Sequence, residues 1–82
     1  MSFDERLRLV FASVLGIDAS TLTDDDSSQT IAEWDSLTHL NLIFALEAEF
    51  GVRFEAEEIP ELMSVRAMRQ RIPREIDGAQ YV

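Results

Sequence analysis

The sequence predicts an all-α fold, a small bundle of three main helices plus a short third helical segment, with a long loop between helices one and two. Three observations carry this. Large apolar residues recur at helical spacing in three runs, Ser2, Asp35 and Ser64 stand where each run begins, and Gly16 and Gly51 follow the first two.

Ser2 followed three residues later by Glu5 reads as a capping box, in which each side chain bonds the other's backbone amide. Phe3, Leu7, Val10, Phe11 and Val14 then repeat at helical intervals, so the first helix is expected over about 3–15. Gly16 is placed to supply the left-handed residue that ends it. From Asp18 to Asp35 the chain is rich in Ser, Thr and Asp and holds no period. Ile17, Leu22, Ile31 and Trp34 punctuate that stretch and are expected to pin it to the body. Asp35 is suited to cap a second helix through the amides near Leu37 and Thr38, and this helix should run through Phe50 to Gly51.

The second helix carries two apolar stripes rather than one. Leu42, Ile43, Leu46 and Phe50 form the first, with His39 at its N-terminal end; Leu37, Leu40, Phe44 and Ala48 lie nearly opposite. Either a neighbouring helix covers each stripe, or one is left for a partner. Beyond Gly51, Val52 and Phe54 read as buried, and 57–62 as a short irregular helix interrupted by Pro60. Ser64 can cap a last helix in which Val65, Met68 and Ile72 share a face, ended by Pro73. The expected domain is 1–73, with 74–82 a flexible tail.

Eighty-two residues allow one small domain with a thin apolar seam and no embedded catalytic cavity. The chain has no cysteine, hence no disulfide, thiolate metal site or thiol nucleophile of its own. Its 16 acids against 7 bases, a formal charge of -9, disfavour nucleic acid and favour neutral or basic partners. The N-terminal run alternates charged with apolar residues, as neither a signal peptide nor a membrane span does, so a cytoplasmic location is expected. A monomer is expected as well. Twelve acids but one base, Arg53, lie between Asp18 and Glu61, whereas Arg66, Arg69, Arg71 and Arg74 follow without an acid among them.

Two candidate chemistries fail on their own terms. Set on a calcium-binding loop with Asp24 first, Asp26 and Ser28 fit, yet Gln29 stands where glycine is needed and Asp35 where a bidentate glutamate should close the site. No metal is expected. Ser36 and His39 are three apart on a helix, but Asp35 is committed as a cap and no nucleophile elbow or oxyanion hole accompanies them, so a self-contained hydrolase is not expected. His39 is instead expected near the domain's rim. Ser36 offers a hydroxyl on the first turn of a helix, where unpaired amides and the dipole stabilise an anion such as a phosphoester.

Trp34-Asp35-Ser36-Leu37, followed by Leu42-Ile43-Phe44-Ala45-Leu46-Glu47-Ala48-Glu49-Phe50-Gly51, resembles the acyl carrier proteins and their Asp-Ser-Leu attachment motif over about residues 3 to 72. The resemblance implies that Ser36 receives a 4'-phosphopantetheine arm from coenzyme A, donated by a separate phosphopantetheinyl transferase, and that the chain is a shuttle rather than an enzyme. It assigns recognition to Asp35, Leu37, Leu40, Phe44 and Glu47, and an interior acyl pocket to Leu42, Ile43, Leu46, Phe54 and Leu62. Partners would be acyl-loading and acyl-accepting enzymes with basic docking surfaces. Thr38, His39 and Asn41 make this helix less acidic than is usual for fatty-acid-synthesis carriers, which favours a specialised fatty-acyl or polyketide-type role. A peptidyl or aminoacyl carrier, and an unmodified helical interaction module, remain the alternatives.

Overall fold

A computed structural model describes residues 2–72. The first helix, α1, spans Phe3–Leu15. Ser2 Oγ accepts the Glu5 amide while the Glu5 carboxylate accepts the Ser2 amide, completing the expected box. At its other end Gly16 takes φ 71° and donates its amide to Ala12 O, a conformation that a Cβ would penalise. α2 spans Ser36–Phe50 and closes the same way on Gly51, at φ 67°. α3 spans Val65–Arg71, with Ser64 Oγ accepting the Ala67 amide. The terminator expected at Pro73 and the tail at 74–82 lie outside the described residues.

Two short 3-10 turns and one isolated bridge complete the path. The turn at Ala19–Thr21 begins on Asp18, whose carboxylate accepts the Ser20 amide. The short irregular helix expected over 57–62 is present as the 3-10 turn at Ile59–Glu61. Pro60 does not interrupt this element but sits in its first turn, where a missing N–H costs nothing. The bridge pairs Ser27 with Ser64 and fastens the first connection to the start of α3. Among the described residues there is no strand, as expected for an all-α carrier-like fold.

One apolar core joins these pieces. Leu7, Phe11 and Leu15 from α1 meet Leu42, Ile43, Leu46 and Phe50 from α2, with Val65 and Met68 closing from α3. Leu22, Ile31 and Trp34 anchor the long connection as expected, and Phe11 meets the Trp34 ring edge-on at 5.5 Å. Ile17 is only partly buried against the same core.

The acidic run is bound from the outside by arginines. Arg69 reaches Asp4 at 2.6 Å and Asp24 at 3.0 Å, and Arg66 reaches Asp25 at 2.7 Å. Asp26 instead accepts the Thr23 amide and the Thr30 hydroxyl. Asp24 and Asp25 thus hold loop to helix while Asp26 braces the loop internally, and the described residues contain no cluster able to hold a metal. Arg8 adds a further tie, donating to the carbonyls of Ala19 and Leu22.

Candidate functional site

The end of the long connection delivers Ser36 to the first position of α2. Asp35 precedes it in extended backbone, φ -103° and ψ -173°, and its Oδ1 accepts the Thr38 amide at 2.8 Å. That bond holds the Asp35 carboxyl below the ordinary carboxylate range, so the cap is ionised at neutral pH. Thr38 is thereby satisfied. The Ser36 side chain is exposed and has no hydrogen-bond partner among the described residues. An accessible hydroxyl at the positive end of a 15-residue helix suits a phosphodiester, which the first-turn amides would stabilise.

From Ser36 the outer face of α2 presents Leu37, Leu40 and Phe44, exposed by 71%, 42% and 63%. Single exposed leucines are unremarkable, but three large apolar groups along one helix face form a patch suited to a partner surface. Glu47, expected beside them, has a duty inside the fold: its Oε2 accepts the Phe54 amide at 2.9 Å and holds the chain where it returns past Gly51. Glu57 and Glu61 are exposed and form no ion pair among the described residues.

His39 departs from expectation. It is buried rather than rimward, the one polar side chain in the core among the described residues. The Trp34 indole donates to His39 Nδ1 at 3.0 Å. Because an indole N–H can only donate, Nδ1 must accept, and the ring proton resides on Nε2, which donates to Ile59 O at 2.7 Å. One imidazole therefore ties the loop end, α2 and the Ile59–Glu61 turn together. Removing its acceptor would strand a buried N–H, a loss of about 1–3 kcal/mol. Helical spacing put His39 on the buried stripe, but nothing local announced Trp34 and Ile59 as its partners.

A depression of about 320 Å³ opens beside the serine, lined by Ser36, His39, Leu40, Ile59, Pro60 and Met63. Of these, only Ser36 and Leu40 were anticipated at the site. Leu42, Ile43, Leu46, Phe54 and Leu62, expected to form an acyl pocket, are buried in the core, and none of them lines this depression. A larger groove between α1 and α2, about 600 Å³, lies elsewhere, with Arg6 paired to Glu49 at its edge. No helix among the described residues is long and apolar enough to cross a membrane.

Comparison with known proteins bears on this geometry. The family model described as a phosphopantetheine attachment site matches residues 5–72. The chain is 36% identical over 62 residues to a polyketide-8 synthase acyl carrier protein 2 from Streptomyces avermitilis, covering 76% of this chain and 71% of that protein. It is 33% identical over 61 residues to an acyl carrier protein of Petrotoga mobilis, covering 74% and 72% respectively. An acyl carrier protein of Solidesulfovibrio magneticus is 32% identical over 66 residues, covering 80% of this chain and 85% of its own length.

Proposed function

Because the chain belongs to the acyl carrier protein family, whose members bear a covalent 4'-phosphopantetheine group and serve separate enzymes, we propose that Ser36 Oγ is its attachment point. The carrying observation is the accessible, unpartnered hydroxyl at the first position of α2, inside the matched residues. The arm supplies a thiol that holds acyl groups as thioesters, which this cysteine-free chain lacks. The protein's own contribution is placement. Asp35 fixes the helix start, the first-turn amides offset phosphate charge, and Leu37, Leu40 and Phe44 provide the docking face. Glu57 and Glu61, exposed on the same domain, steer partners with basic surfaces, chiefly through the rate of encounter.

Within the family, the weakly charged start of α2 and the likeness to a polyketide synthase carrier favour a specialised fatty-acyl or polyketide-type pathway. Intact-mass measurement after incubation with coenzyme A, magnesium and a broad-specificity phosphopantetheinyl transferase tests the assignment. Wild type should gain one phosphopantetheine and Ser36→Ala none. An unmodified wild type would remove the carrier reading, and a modified Ser36→Ala would move the arm to another hydroxyl.

A further inference from the structure

We propose that His39 is a specificity-determining stop that keeps cargo in the shallow depression beside Ser36 and out of the apolar core. The inference rests on the carrier reading and deepens it, because it names the cargo class that the site accommodates: short acyl groups rather than long alkyl chains.

Four observations converge. Ser36 is itself on the wall of the depression, so an arm anchored there starts beside it. The wall facing it, Ile59, Pro60 and Met63, belongs to the 3-10 turn and the residues following it, and this turn has no side-chain cap of its own. His39 closes the gap between that turn and α2, with Nε2 bonded to Ile59 O and Nδ1 to the Trp34 indole. Leu42, Ile43, Leu46 and Leu62 lie in the close-packed core of the same bundle.

A chain advancing inward from Ser36 therefore meets a polar ring, locked on both sides, before it meets the leucines. To pass, it must part His39 from Ile59 or from Trp34. Either break strands a polar atom in apolar surroundings, and alkyl carbon offers no replacement hydrogen bond. Terminal carbons of a short cargo have no need to pass. They can rest against Leu40, Pro60 and Met63, in a space at the small end of ligand pockets.

The test treats wild-type protein with the phosphopantetheinyl transferase and either acetyl-coenzyme A or octanoyl-coenzyme A, so that acyl-phosphopantetheine passes to Ser36 Oγ and adenosine 3',5'-bisphosphate leaves, verifies both products by intact mass, and follows the side-chain NMR resonances of Leu46, Phe54 and Leu62. In wild type both cargoes should leave these resonances where they stand in the unacylated carrier, while Leu40 and Met63 shift. In His39→Leu, octanoyl alone should move the core resonances. Core shifts with octanoyl in wild type would overturn the proposal, and that comparison stands even if the variant does not fold. A folded His39→Leu whose core ignores octanoyl would overturn it equally. Failure of the carrier reading is distinguishable, since it appears earlier as an unchanged mass.

Discussion

Along α2, His39, Leu42, Ile43, Leu46 and Phe50 are sealed inside the bundle, whereas Leu37, Leu40 and Phe44 on the other side remain open to solvent. The two sides are similar in composition and differ in what arrives to cover them. α1, α3, the Leu22–Trp34 stretch and the return past Gly51 all stack against one side. Burying a large apolar side chain is worth about 1.5–3 kcal/mol, so three such residues left in water are a substantial stabilisation forgone by the isolated chain. The comparison separates residues that hold the fold from residues available to a second protein.

Replacing Leu46 by Ala should give the largest effect. It removes buried methyl groups where little can collapse to fill the space, and a loss of about 2–5 kcal/mol is expected in denaturant unfolding. A loss no greater than that of an exposed alanine substitution would erase the distinction between the two sides.

Acid should produce a graded, smaller effect at the helix start. The Asp35 carboxyl is depressed by the Thr38 amide, and Asp4 is depressed because Arg8 and Arg69 outweigh the opposing push of burial. A depressed folded value means that the stabilisation is complete above the unfolded value of about 3.9 and disappears as pH falls through the folded one. Helicity followed by circular dichroism should therefore hold steady near neutrality and decline only below about pH 4. In Asp35→Asn the part of that decline belonging to the start of α2 should be missing.

Phe44→Asp should have the smallest effect on the fold and a clear one on traffic. At 63% exposure the ring contributes little to the core, so stability should change by no more than about 0.5 kcal/mol. Transfer of an acyl group to or from a partner enzyme should be impaired. Marked unfolding of this variant would place Phe44 with the sealed side.

Much of this was legible because the governing interactions are local. The Ser2–Glu5 box, the Asp35 and Ser64 caps and the left-handed Gly16 and Gly51 each depend on residues a few positions apart, and all formed where the sequence placed them. Ser36, on the first turn, shares that locality. What escaped notice acts at a distance. His39 was misplaced at the rim because one partner, Ile59, lies 20 residues away, and the Asp24–Arg69 pair that explains the acidic run spans 45. Pro60 misled for a different reason: whether proline breaks or begins a turn depends on where the turn starts, which tertiary packing decided here.

Trp34 is the chain's only tryptophan, and it lies two residues before Ser36 with its ring enclosed between Phe11 and His39. Tryptophan fluorescence from this molecule therefore comes from a single chromophore lodged beside the N-terminal end of α2. A red shift on attaching the arm, loading a cargo or binding an enzyme would report water reaching that spot, without any label. The fold thus carries a native optical probe where its chemistry is expected to occur.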